Sequence, residues 1–141
     1  MHVMRSILVV EDEKISSMLL EHLLSQLGFD ICGTAATGAE AIQKAESSQP
    51  DLIVMDVGLK GNMNGIEAAH AICQRQQMPI LFLTAYTYEE ISRNRNLPKT
   101  FGFLSKPVMM EELGQKLIEL FLQFEQMQRT LENSQPDEHG E

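Results

Sequence analysis

Five polar side chains stand just beyond short apolar runs, and their types suit phosphate chemistry. Glu11 and Asp12 follow Ile7-Leu8-Val9-Val10, Asp56 follows Leu52-Ile53-Val54-Met55, and Thr84 follows Ile80-Leu81-Phe82-Leu83. Lys106 lies just past a fifth stretch, Phe101-Gly102-Phe103-Leu104. Three carboxylates brought close together repel one another, and a hard divalent cation relieves that repulsion. Mg²⁺ takes oxygen ligands and keeps several waters, so two carboxylates and a backbone carbonyl suffice to hold it. An aspartate can also attack a phosphoryl group to form an acyl phosphate. A lysine then offers fixed positive charge to the phosphoryl oxygens, and a threonine hydroxyl can hydrogen-bond them. Positioning and charge neutralisation are what phosphoryl transfer needs.

Taken singly, each residue has an ordinary explanation. A carboxylate or hydroxyl after a strand often caps the next helix, and a lone lysine is usually solvated. The set is informative because of the elements that must carry it. Continuous apolar runs of this length read as strands covered on both faces, as in the middle of a parallel sheet. The stretch 29–34 is more mixed, with Asp30 and Gly33, and suits a sheet edge, as does 101–104. Helical patterns separate the runs at 15–27 (Gly28 being its stop), 39–47, 66–76 and 88–96, and a long one closes the series at 110–131. Such alternation implies right-handed crossovers and a three-layer α/β sandwich. All strand C-termini then share one edge, where ligand crevices form.

Composition narrows the classes. The chain has 141 residues, 43% hydrophobic and 22% charged, which suits one domain with a real core. Its net charge is −9, with Glu132, Asp137, Glu138 and Glu141 crowded into the last ten residues. An acidic body without a Lys/Arg cluster has no electrostatic grip on nucleic acid. The first apolar run is too short for a signal peptide or a membrane span, so a cytoplasmic protein is expected. Cys32 and Cys73 lack metal or redox spacing and read as small buried hydrophobes with reduced thiols. His22 and His70 read as packed or surface residues, and no P-loop, zinc spacing or nucleophile elbow is present.

In the final helix Leu113, Leu117, Leu120, Phe124, Met127 and Leu131 recur at spacings of three and four. Twenty-two residues at about 1.5 Å each span about 33 Å, roughly the width of a small domain. The helix either covers the sheet throughout or projects, offering Met127 and Leu131 to a partner or to a second copy in a homodimer. The domain is expected over 1–131, with a disordered acidic tail over 132–141.

The segments Ile7-Leu8-Val9-Val10-Glu11-Asp12-Glu13, Asp51-Leu52-Ile53-Val54-Met55-Asp56, Phe82-Leu83-Thr84-Ala85 and Phe103-Leu104-Ser105-Lys106-Pro107 resemble the receiver domain of response regulators, over about residues 5–125. The resemblance implies a flavodoxin-like (βα)5 fold with a parallel five-stranded sheet in the order 2-1-3-4-5. It further implies that Asp56 accepts a phosphoryl group from the phosphohistidine of a histidine kinase or phosphotransfer protein. Asp12, Asp56 and the main-chain carbonyl of Gly58 would hold Mg²⁺, with Glu11 acting mainly through bound water. Lys106 and Thr84 would contact the phosphoryl group. Thr84 and Phe103 would form the switch, remodelling the surface of the fourth helix, fifth strand and fifth helix for a downstream protein. Phe103 lacks a tyrosine's hydroxyl, so it would report by packing alone or serve simply as a core residue. The Lys106-Pro107 bond resembles the family's cis peptide.

The stretch from Asp56 to Gly65 departs from the commonest family pattern. It lacks the usual Pro, carries three glycines, is one residue longer, and has Asn64 where Asp is usual. Gly58 and Gly61 are expected to relax this backbone. Lys60 falls either at the pocket mouth or in solvent, and Tyr86 either screens the acyl phosphate from water or serves as a surface contact. Two rivals stand beside the switch. A receiver-like scaffold that never uses phosphate has no need of all five polar residues. A Mg²⁺-dependent phosphohydrolase needs a second acid/base and a cap domain, neither of which is visible, so no separate-substrate enzyme is expected.

Overall fold

The apolar runs form strands because their side chains alternate between two covered faces. Ile7, Val9, Leu52, Val54, Leu81 and Leu83 enter one core cluster, while Leu8, Val10, Ile53, Met55, Ile80 and Phe82 enter the other. A strand buried on both sides shows no polar alternation, which is why these segments read as unbroken apolar runs. The computed structural model describes residues 5–85, 93 and 96–134. Its strands are β1 (Ser6–Val10), β2 (Asp30–Ala35), β3 (Leu52–Asp56), β4 (Ile80–Thr84) and β5 (Phe101–Ser105). They pair in parallel in the order β2-β1-β3-β4-β5, so the two mixed stretches are indeed the edges.

Helices α1 (Lys14–Gln26), α2 (Gly38–Ser48) and α3 (Gly65–Arg75) follow the first three strands, and α4 (Met110–Ser134) follows β5. Helix α1 ends at Gly28, whose φ of 93° suits a residue without Cβ. There the Gly28 N–H donates to Ser25 O and the Phe29 N–H to Leu24 O, both at 3.0 Å, closing a Schellman turn. The expected helix over 88–96 and Tyr86 lie outside the described residues, apart from Arg93 and Asn96. Among the described residues no helix is long and apolar enough to cross a membrane.

Helix α4 runs to Ser134, so residues 132–134, read as tail, are helical. At 25 residues it spans about 37 Å. Its first half carries the packing: Leu113, Leu117 and Leu120 are almost completely buried, each contributing about 1.5–3 kcal/mol. Further along, Arg5 lies 4.4 Å over the Phe121 ring and pairs with Glu125. That exposed pair adds at most about 1 kcal/mol, so apolar burial dominates. Met127 still touches the body, its sulfur 3.6 Å from the Thr100 hydroxyl, whereas Leu131 is 47% exposed. Ile118 and Leu122 are exposed on another face of the helix.

Candidate functional site

Sheet register, rather than sequence proximity, assembles the polar set. Val10 pairs with Met55, so Glu11 stands level with Asp56 at the C-terminal edge of neighbouring strands. Asp56 in turn pairs with Leu83, which leaves Thr84 one step beyond, and Thr84 pairs with Ser105, which precedes Lys106. The Lys106 N–H donates to the Thr84 carbonyl at 3.0 Å and extends this pairing past the strand ends. The Lys106-Pro107 peptide is cis, as the resemblance implies.

Glu11, Asp12 and Asp56 bring carboxylate oxygens within 4.8 Å of one another. Lys106 Nζ lies 3.2 Å from Asp56 Oδ1 and 3.4 Å from Glu11 Oε1. The Glu11 and Asp56 side chains are 1% and 6% exposed, and that of Lys106 is 33% exposed. Asp56 Oδ1 also accepts from the Gly58 N–H at 3.1 Å, and Glu11 Oε2 accepts from the Glu13 N–H at 3.1 Å. A cavity of about 250 Å³ opens over these groups, lined in part by Asp12, Asp56, Gly58, Lys60, Thr84 and Lys106.

Burial pushes the Glu11 carboxyl above its ordinary value; the Glu13 N–H opposes this, the Asp56 charge adds to it, and Lys106 offsets part. Burial works against the Lys106 charge, yet Asp56 and then Glu11 outweigh it and the ammonium titrates above its usual value. Three carboxylates share this pocket with one lysine, so its negative charge is only partly neutralised. The donor set fits Mg²⁺: hard carboxylate oxygens converge, and the uncompensated charge calls for a cation.

Some determinants escaped the sequence reading. Asn64 is the N-cap of α3, and it and Glu67 form a reciprocal capping box, Glu67 N–H to Asn64 Oδ1 at 2.8 Å and Asn64 N–H to Glu67 Oε1 at 2.9 Å. The Asn-x-x-Glu spacing was the signal for it. Gly61 has a φ of 106°, but Gly58 does not adopt a positive φ; the glycine the site depends on is Gly65. A Cβ there would fall 2.1 Å from the Asp56 carbonyl oxygen. The Lys60 main-chain N–H reaches Asp12 Oδ2 at 3.2 Å. Phe103 is half-buried, stacked on Phe82 with ring centroids 5.4 Å apart and edge-on to Phe101 at 5.3 Å. Of the remaining candidates, Cys73 is buried and Cys32 only half-buried, both free; His22 is exposed and His70 half-buried.

The response regulator receiver domain profile matches residues 7–118. The chain belongs to the response regulator receiver domain family. A receiver domain of two-component systems is a signalling domain, and the family binds Mg²⁺ at an acidic pocket. This receiver is 34% identical over 109 residues to the transcriptional regulatory protein PdtaR of Mycobacterium tuberculosis, covering 77% of this chain and 53% of PdtaR. It therefore spans about half the length of that relative. Its fold superposes on the REC domain of the PhyR response regulator of Erythrobacter litoralis with a TM-score of 0.75 and 30% identity, covering 84% and 91% of the two chains. The chemotaxis protein CheY4 of Vibrio cholerae gives 0.76 and 30%, covering 84% and 99%.

Proposed function

We propose that this receiver is a phosphorylation-dependent switch that takes a phosphoryl group on Asp56 from the phosphohistidine of a kinase or phosphotransfer protein. The observation that carries the reading is the close grouping of the Glu11, Asp12 and Asp56 oxygens, with Lys106 Nζ 3.2 Å from Asp56. In the reaction an Asp56 oxygen forms a bond to phosphorus as the phosphorus–nitrogen bond to the donor imidazole breaks, and the imidazole leaves with the bonding pair. The Gly58 N–H and Lys106 hold Oδ1 and fix the plane of the nucleophilic carboxylate. Mg²⁺, held by Asp12, Asp56 and the Gly58 carbonyl with Glu11 acting through water, would neutralise phosphoryl charge. Lys106 adds fixed positive charge, and the Thr84 hydroxyl hydrogen-bonds the transferred group. That new bond draws the Thr84 loop inward and biases how Phe103 packs against Phe82, a population shift set off by one local charge. Incubation with Mg²⁺ and a small acyl phosphate should add the mass of one phosphoryl group. No addition would leave a scaffold that never uses phosphate.

A protein donor is favoured by the apolar surface beside the pocket. A groove of about 420 Å³ is lined by Leu19, Leu20, Leu23, Leu83 and Val108 and shares Glu11 and Lys106 with the acceptor site. On α1, Ile15 is 83% exposed, with Met18 and Leu19 beside it. An apolar helix face at this position suits a helix presenting its histidine to Asp56. The double variant Ile15→Glu, Leu19→Glu is expected to slow transfer from the donor protein about tenfold or more. Labelling by the small acyl phosphate should stay unchanged, and equal loss with both donors would reject this surface.

The C-terminal end of α4 is the proposed contact for a second copy, since the core-facing stripe continues into exposed Leu131. Leu131→Glu should then lower the sedimentation coefficient at concentrations where the wild-type chain associates. Identical sedimentation of the two proteins would remove this contact from consideration.

A further inference from the structure

One tether in the loop between β3 and α3 lies outside the phosphoryl chemistry described above. The Lys60 main-chain N–H donates to Asp12 Oδ2 at 3.2 Å, joining residues 48 positions apart. On either side the loop is fastened by packing. Leu59 is buried, and the Met63 side chain lies 3.0 Å from where a Cβ on Gly38 would stand. Between them Lys60 and Gly61 arch outward, and a Cβ on Gly61 would meet nothing within 4 Å. The arch is therefore held at its crest by a half-buried carboxylate that also belongs to the acidic cluster.

Resting on the reading of this pocket as a cation-dependent phosphoacceptor, we infer that Asp12 clasps the 57–64 loop through the Lys60 amide, so that a divalent cation in the pocket and order in the loop reinforce each other. A carboxylate has about four lone-pair sites, so one N–H on Oδ2 leaves capacity for a metal ion. The N–H restrains rotation of the carboxylate, and a cation at the cluster restrains the same group through its charge. Each restraint lowers the cost of the other, and the coupling is reciprocal by linkage. Gly58, whose carbonyl is the expected third ligand, belongs to the same loop, so holding the crest also positions that ligand. The Lys60 amide thus acts as a positioning group, working through Asp12.

The test uses the full chain and Mg²⁺ alone, followed by NMR of the backbone amides. In the wild-type chain, saturating Mg²⁺ should slow exchange of the Lys60 amide with water severalfold. Lys60→Pro deletes the N–H and should weaken Mg²⁺ affinity about three- to tenfold. Lys60→Ala keeps the N–H and removes a positive charge, so it should bind Mg²⁺ at least as tightly as wild type. Mg²⁺ binding that leaves Lys60 exchange unchanged or faster overturns the clasp while sparing the phosphoacceptor reading. Equal weakening by Lys60→Ala and Lys60→Pro does the same. A wild-type chain that takes up no Mg²⁺ overturns the cation pocket and the clasp with it.

Discussion

Asp56→Asn should abolish phosphoryl incorporation from an acyl phosphate while leaving the fold intact and, without Mg²⁺, more stable than wild type. The asparagine keeps the shape of the side chain and an oxygen that can accept the Gly58 N–H, but it is no nucleophile. Stabilisation follows from the crowding of three carboxylates within 4.8 Å. Two unit charges at that separation repel by about 1 kcal/mol in water and about 3.5 kcal/mol at an effective dielectric constant of 20. Lys106 keeps its contact with Glu11 at 3.4 Å, so losing the Asp56 charge leaves no orphaned cation. A net gain of about 1 kcal/mol is expected, read as a higher denaturation midpoint in chelator. Adding Mg²⁺ should stabilise the wild type and have far less effect on Asp56→Asn, because binding to the native state alone raises its stability. Residual phosphoryl mass on Asp56→Asn would assign the acceptor elsewhere, and a lower midpoint in chelator would show that repulsion does not govern the pocket.

Gly65→Ala should damage both stability and chemistry although Gly65 does not line the pocket. The added Cβ would stand 2.1 Å from the Asp56 carbonyl oxygen, 2.9 Å from its carbonyl carbon and 2.9 Å from Met55 Cγ. Two of these are backbone atoms and cannot turn aside. The Gly65 N–H donates to Val57 O at 3.0 Å, so α3 begins directly against the chain that follows the nucleophile. Relief requires the helix and the strand end to separate by about 1 Å, which in a close-packed interior costs about 1–3 kcal/mol or more. A displacement of that size at a reacting group can lower a rate about a hundredfold. The requirement is steric, since Gly65 does not adopt a positive φ. A midpoint and a labelling rate equal to those of wild type would show that the helix start and the acceptor carbonyl do not press on one another.

The locally encoded elements were legible in the sequence. Runs such as Leu52-Ile53-Val54-Met55 declare covered strands, and Gly28 marks the end of α1 through its own backbone freedom. Asn64 stood out as a departure from the family pattern, yet its role with Glu67 is also local and the spacing carried it. Helix α4 continues past Leu131, where the apolar stripe stops. Helical hydrogen bonds need no apolar residue, and Glu132 and Asn133 continue the last turn. Cys32 was read as buried but sits half-covered, since it belongs to an edge strand.

By itself the sequence determined which residues could meet, because each acid, hydroxyl and ammonium comes at or just past the end of a run whose apolar pattern defines a parallel strand. Only the tertiary structure decided how they meet. The pairing of Val10 with Met55 sets Glu11 beside Asp56, the path of the loop carries the Lys60 amide to Asp12, and the helix start at Gly65 closes on the Asp56 carbonyl. The physical reason is that apolar periodicity acts within one segment. Separations of 3 Å between residues 40 or more positions apart depend on strand register and loop path, which are set by packing of the whole domain.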